Sequence, residues 1–248
     1  MQAVMGKTKI LVVSASAGNG HTRAAEALRM HACGADIAVT HIDILKFVSP
    51  LLRTVYTRLY SGLVKHAPAL WRHIYQSTHH ARRDGAGHAL RRWAERINTV
   101  RFVREIEKIA PDLIVCTHFL PADILSQLIA RGGLQCPVWV QVTDFDLHRI
   151  WVHEHMAGYF APNEEVAFRL REHGIVPDRI HITGIPIMPA FSGHHDRESC
   201  GRELGLIPHR MTILLMGGGA GFGTVTAIAA RLLRADGDLQ IIALAGRD

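Results

Sequence analysis

The feature that most constrains this chain is a plan used twice: an apolar run, a glycine-rich bend, then a helix-forming stretch. It is written first as Lys9-Ile-Leu-Val-Val-Ser14, then Ala15-Ser-Ala-Gly-Asn-Gly20, then His21-Thr-Arg-Ala-Ala-Glu-Ala-Leu28. It returns as Thr212–Met216, then Gly217-Gly-Gly-Ala-Gly-Phe-Gly223, a helix to about Arg234 and a strand at Leu239–Ala245. Short apolar runs without alternation are strands buried on both faces, and such strands need helices above and below. The fold class expected is α/β: a Rossmann-like, doubly wound parallel sheet, followed by the start of a second one.

Between the two copies the alternation continues. Strands are expected at Ile10–Ser14, Ile37–Ile42, Leu113–Thr117, Val138–Val142, Tyr159–Ala161 and Ile180–Thr183. Helices are expected at His21–His31, Val100–Ile109, Ala122–Arg131 and Glu164–His173, and Trp151–Met156 is expected to enter another. Asn163 suits the N-cap of the fourth helix, and Gly174 the position just past its end. This divides the chain into a first domain at 1–186, a linker at 187–208 and a second domain at 209–248. A doubly wound half needs more strands than 209–248 supplies, so the second domain is expected to be truncated.

The segment from Lys46 to Thr99 is an insertion between the second and third strands. Its apolar and aromatic residues, Leu70, Trp71, Ile74 and Tyr75 among them, recur at helical spacing. It is also basic. Lys65 to Arg104 holds nine Lys/Arg and five His against two acids, within a chain of net charge +6. Nucleic acid, anionic lipid and plain solvent are all possible neighbours of such a face. The cysteines, Cys33, Cys116, Cys136 and Cys200, form no CxxC pair, which argues for free thiols in a reducing compartment. No long apolar segment precedes the first strand, so neither a secretory signal nor a transmembrane helix is expected.

In a parallel sheet the loops at the carboxyl ends of the strands share one edge, where ligands bind. The polar side chains of this sequence concentrate there. Gly18, Asn19, Gly20 and His21 follow the first strand, and Thr117 and His118 the third. Thr143, Asp144, Asp146 and His148 follow the fourth. The Gly18-Asn19-Gly20 loop is not a dinucleotide fingerprint, because Arg23 stands where the third glycine belongs, and there is no Walker loop. It reads instead as a bend that admits close approach to a helix N-terminus. His21, kept neutral there by desolvation and the helix dipole, suits a general base. The alternative is a histidine that only caps the turn. The 17 histidines include His79-His80, His153-Glu-His155 and His194-His195, but none has the spacing of a metal site.

The runs SASAGNGHTRAAEAL, PDLIVCTHFLPADIL, VTDFDLHRIWV, YFAPNEEVAFRL, ITGIPIMPAF and ILLMGGGAGFG cover nearly the whole chain in order. Together they resemble the monogalactosyldiacylglycerol synthase and processive diacylglycerol glucosyltransferase family, part of glycosyltransferase family 28. The resemblance implies a GT-B fold whose first domain takes the lipid acceptor and whose second takes most of the nucleotide-sugar. It implies inverting transfer of galactose or glucose from a UDP-sugar to diacylglycerol, with no catalytic metal and no cofactor. His21 matches the family's glycine-loop base and Asp144 a second polar position of the cleft. Gly217, Gly218, Gly219, Gly221 and Phe222 match the loop that approaches the donor diphosphate. The family's ribose- and uracil-holding residues have no counterpart before Asp248, so the chain alone is expected to bind UDP weakly and to transfer no sugar.

The resemblance also favours anionic membrane lipid over nucleic acid as the partner of the basic insertion. It implies a cytoplasmic protein held peripherally at the inner face of the cell membrane. The competing readings are another GT-B activity (a nucleotide-sugar epimerase or a transferase with a soluble acceptor) and a catalytically idle lipid-binding remnant. The membrane reading rests on Leu70, Trp71, Ile74 and Tyr75 beside Arg82, Arg83, Arg91 and Arg92. Each basic residue near an anionic surface contributes about 1 kcal/mol, so engagement of half of the nine gives roughly 4–5 kcal/mol, a reversible attachment. Replacing Arg82, Arg83, Arg91 and Arg92 by Gln is expected to weaken sedimentation with acidic vesicles while circular dichroism stays unchanged. Unaltered sedimentation would leave the patch a solvated face.

Overall fold

The computed structural model describes residues 7–16, 18–34, 36–49, 54, 99–217, 225–234 and 237–244. Six parallel strands form one sheet: β1 (Thr8–Ser14), β2 (Ile37–Asp43), β3 (Leu113–Cys116), β4 (Val138–Gln141), β5 (Gly158–Ala161) and β6 (Ile180–Ile182). Their order is β2-β1-β3-β4-β5-β6. The chain therefore winds one way from β1 to β2 and the other way from β3 onward. Right-handed crossovers then put the helices on opposite faces of the sheet.

Helix α1 (Asn19–His31) covers one face, where its Ala25 meets Val12 and Val115. Small side chains let this helix lie close to the strands. The other face carries the larger core. There Leu11, Val13, Ile114 and Val140 pack against α2 (Thr99–Ile109) through Phe102 and Ile106 and α3 (Phe119–Ala130) through Ile124 and Leu125. Helix α4 (Glu164–Glu172) adds Val166 and Leu170. Its punctuation is the expected one: the Asn163 side chain accepts from Val166 N at 2.8 Å, and Gly174 takes φ of 87°.

Two helix expectations need correction. Helix α3 begins at Phe119, ahead of the expected Ala122, because Pro121 sits in its first turn, where a missing N–H breaks no helical bond. Trp151–Met156 forms no helix. Arg149–Trp151 makes a single 3-10 turn, and a turn at Glu154-His155 then leads into β5. Here tertiary hydrogen bonds override local propensity. The Tyr159 hydroxyl accepts from His153 N at 2.8 Å and donates to His153 O at 3.0 Å, occupying the backbone groups a helix would use.

Beyond β6 lies α5 (Arg197–Glu203), whose N-terminus is capped by Asp196 accepting from Ser199 N at 2.7 Å. Strands β7 (Met211–Met216) and β8 (Leu239–Leu244) then pair in parallel as a separate two-stranded sheet, with α6 (Val225–Leu233) between them in sequence. Leu70, Trp71, Ile74, Tyr75, Arg82, Arg83, Arg91 and Arg92 lie outside the described residues, as do Gly218, Gly219, Gly221 and Phe222. All four cysteines are free thiols. Among the described residues no helix is long and apolar enough to cross a membrane.

One glycine of the sheet has a packing reason. Gly158 is the direct partner of Trp139 across β4 and β5, and a methyl group on it would run into the indole ring. That ring is held by stacking on Phe160, with centroids 5.0 Å apart and 21° between planes. Gly158→Ala is expected to cost about 1–3 kcal/mol, the usual range for overpacking. The urea midpoint checks it, and a midpoint within error of wild type would mean the indole moves aside freely.

Candidate functional site

The winding of the sheet reverses between β1 and β3, and the loops at their carboxyl ends open a crevice there. His21 stands in it, on the first turn of α1. Helix α1 has Gly18 as N-cap, with no side-chain capping bond. His21 Nδ1 lies 3.0 Å from the Thr117 carbonyl oxygen and 2.7 Å from Thr143 Oγ1. Thr117 Oγ1 donates back to the His21 carbonyl at 2.9 Å. Loops after β1, β3 and β4 are thus tied together on one imidazole, so His21 does not merely cap its own turn.

These partners fix the tautomer. A carbonyl oxygen only accepts, so Nδ1 carries the hydrogen and Nε2 holds the lone pair. The Thr143 hydroxyl is itself directed to the same carbonyl, at 3.4 Å, which leaves its oxygen to accept from Nδ1. His21 is held below the ordinary histidine value, chiefly by burial, with Asp144 and the Thr117 carbonyl pulling the other way. The Asp144 carboxylate accepts from Trp151 Nε1 at 2.9 Å.

The other expected residues separate into those that touch this group and those that do not. His118 is buried, and its Nδ1 accepts from Leu120 N at 3.0 Å, so it caps α3. Its ring meets His21 edge-on, with centroids 4.5 Å apart, and forms the back wall of the crevice. His148 is also buried and does a similar job, accepting from Ile150 N at 3.2 Å. Asp146 is exposed and lies 3.6 Å from Arg169 Nε, turned toward α4. Asn19 is exposed on the first turn of α1, where its carbonyl accepts from Thr22 Oγ1.

A Cβ at Gly20 would meet nothing within 4 Å, so the space over this turn is open. Gly217 is different, because a Cβ there would come within 2.9 Å of Val225. Among the described residues no three His, Cys, Asp or Glu side chains gather as a metal-binding group. His153 Nδ1 faces Asp123 at 3.7 Å, and His195 Nε2 bonds the Ala190 carbonyl at 2.6 Å. His79-His80 lies outside the described residues. Asp43 holds Ser16 N at 3.1 Å and Leu45 N at 3.0 Å, and so anchors the loop that leads to His21.

Trp151 was not legible as a site residue. Its one sequence signal is that a buried indole needs an acceptor, and an acid stands seven residues before it.

A doubly wound sheet followed by a second strand–helix–strand unit is an architecture of GT-B type. Solved structures agree on the fold. S. aureus MnaA in complex with UDP has a TM-score of 0.52 at 10% identity, covering 97% of this chain and 63% of that one. The UDP-GlcNAc 2-epimerase of Neisseria meningitidis, bound to UDP-GlcNAc, gives 0.50 at 12%, covering 95% and 65%. Residues 21–187 match the family described as monogalactosyldiacylglycerol (MGDG) synthase, and the chain belongs to that family. The chloroplastic monogalactosyldiacylglycerol synthase of Spinacia oleracea is 31% identical over 97% of this chain and 48% of its own length. The processive diacylglycerol beta-glucosyltransferase of Bacillus licheniformis is 26% identical over 96% of this chain and 61% of its own. The chain thus spans about half the length of the curated relatives it matches.

The buried histidines make stability depend on pH. His21, His41 and His118 are held below their ordinary value of 6.5 chiefly by burial, and His153 is pushed down to about 4. Each binds a proton more weakly folded than unfolded. Their contribution is therefore complete above 6.5 and is lost as pH falls toward 4, each with a slope of up to about 1.4 kcal/mol per pH unit. Asp123, raised by burial, opposes them as a single group. The urea midpoint is expected to drop between pH 7.5 and 5. A flat midpoint would show that these imidazoles are hydrated in the folded protein.

Proposed function

We propose that this protein is an inverting glycosyltransferase that moves a hexose, galactose or glucose, from a UDP-sugar to the free hydroxyl of diacylglycerol. The observation that carries the reading is the fixed tautomer of His21, whose Nε2 lone pair stands on a half-buried ring at the switch point. Membership of the MGDG synthase family and the names of the spinach and Bacillus relatives supply the substrates.

In this reading Nε2 takes the proton of the acceptor hydroxyl as its oxygen attacks the anomeric carbon from the face opposite the leaving group. The bond between that carbon and the diphosphate breaks, and UDP leaves with the electron pair. The imidazolium that forms is stabilised by the Asp144 carboxylate and by the Thr117 carbonyl, the two influences that already raise the proton affinity of His21. The crevice around Gly18, Asn19 and Gly20 admits the glycerol end of the lipid. The loop from Gly217 to Phe222 and the N-terminus of α6 receive the diphosphate, so backbone dipoles carry the charge that a metal would carry elsewhere. No cofactor is proposed. The basic insertion holds the protein on anionic lipid at the cytoplasmic face of the cell membrane.

The test supplies UDP-galactose or UDP-glucose and diacylglycerol vesicles. It uses the 248-residue chain and the same chain fused to the C-terminal part of the Bacillus licheniformis relative. Labelled hexose should appear on the lipid with the fused protein and not with the 248-residue chain alone, with an acid limb inflecting below 6.5 because the base is held below its ordinary value. His21→Ala is expected to lower turnover by about two to four orders of magnitude, the usual contribution of a general base, with little change in UDP-sugar affinity. Near-normal turnover of that variant would reject His21 as the base. Interconversion of the UDP-sugar without any lipid product would replace transfer by epimerisation.

A further inference from the structure

We propose that Trp151 is a positioning residue, whose indole N–H holds the Asp144 carboxylate in the orientation that faces His21. This rests on the reading of His21 as the base, but it concerns a different pair of groups. Trp151 is fully buried, and its Nε1 donates to Asp144 Oδ2 at 2.9 Å. A buried indole N–H left without an acceptor is destabilising, so the fold itself favours the carboxylate rotamer that meets it.

The indole has little room to turn. It packs edge-on against Phe119 at 5.8 Å and lies 6.3 Å from the His118 ring and 6.1 Å from that of His21, centroid to centroid. Its backbone is set by the 3-10 turn Arg149–Trp151, which His148 caps and which the Trp151 N to His148 O bond closes at 3.0 Å. His148 therefore acts two steps from the crevice, by placing Trp151.

The choice of donor matters chemically. An arginine or lysine in this place would hold the carboxylate equally well and neutralise it, and His21 would then feel little negative charge. An indole orients the carboxylate and adds no charge. Its apolar body also excludes water from the gap, which strengthens what passes between Asp144 and His21. Asp144 on the β4 loop is the carboxylate that raises the proton affinity of His21, whereas His118, the cap of α3 against the same ring, is itself kept neutral by burial.

The test titrates His21 by NMR in the full 248-residue chain carrying ring-labelled histidine, and needs no catalysis. Four proteins are compared: wild type, Trp151→Phe, Asp144→Asn and the double variant. Trp151→Phe is expected to lower the proton affinity of His21, by at least half of what Asp144→Asn achieves. The double variant should match Asp144→Asn alone, because the tryptophan acts through the aspartate. A purely packing role predicts the opposite sign, since a loosened wall would hydrate His21 and raise its proton affinity. A rise, no change, or two effects that add would each overturn the proposal. Where Trp151→Phe fails to fold, 3-benzothienylalanine at 151 keeps the shape without the N–H, and the same comparisons decide. Loss of His21 as the base in transfer assays would leave this result standing, so the two readings fail separately.

Discussion

The hydrogen bond from His21 Nδ1 to the Thr117 carbonyl is the contact on which the site depends. It crosses from the loop after β1 to the end of β3, the two strands between which the winding of the sheet reverses. A backbone carbonyl is a good anchor because its position is fixed by the sheet: Thr117 N donates to Val13 O at 3.0 Å, extending the β1–β3 pairing to the residue that receives His21. The imidazole is thereby registered against the strands themselves. Its tautomer follows, and Nε2 is left with the lone pair.

Around this contact, histidines of one chemical type do different work, and their environment decides which. His118 and His148 are buried and accept from a backbone N–H two residues ahead, so each caps the start of a helical turn. His41 Nε2 bonds Ser14 Oγ at 2.8 Å across β1 and β2. Such residues must be neutral to fit, and burial keeps them so. Among the described residues, His21 combines an N–H fixed by a backbone carbonyl with a lone pair on a half-buried ring beside a carboxylate. The difference lies in access and partners rather than in residue type.

Much of the sheet was legible because its signals are local. Apolar runs of four to seven residues, Gly174 after α4 and Asn163 before it are all short-range statements, and they place strands and helices to within a few residues. The clustering of Thr117, Asp144 and His21 was legible too, because it follows from topology once the strands are assigned. The segment after β4 was not. Nothing local in Trp151–Met156 says that Tyr159 and Asp144 will take its hydrogen-bonding groups, and those bonds span seven residues or fewer yet depend on the sheet for their geometry. Helix α5 was missed for a different reason. It is seven residues long, too short for hydrophobic periodicity, and only the Asp196 cap announces it.

The two glycine loops look alike in sequence, but physics separates them. At Gly18 and Gly20 the backbone has no need of glycine: Gly18 is extended at φ −155°, and a Cβ on either would sit in ordinary contact or open space. What glycine provides there is room, above a turn whose histidine points inward. At Gly217 the opposite holds, since the start of α6 closes over it and Val225 leaves no place for a Cβ. The turn at Gly18 and Gly20 is kept bare, whereas Gly217 sits tight against Val225. A bare turn beside a neutral imidazole suits a hydroxyl that must lose a proton.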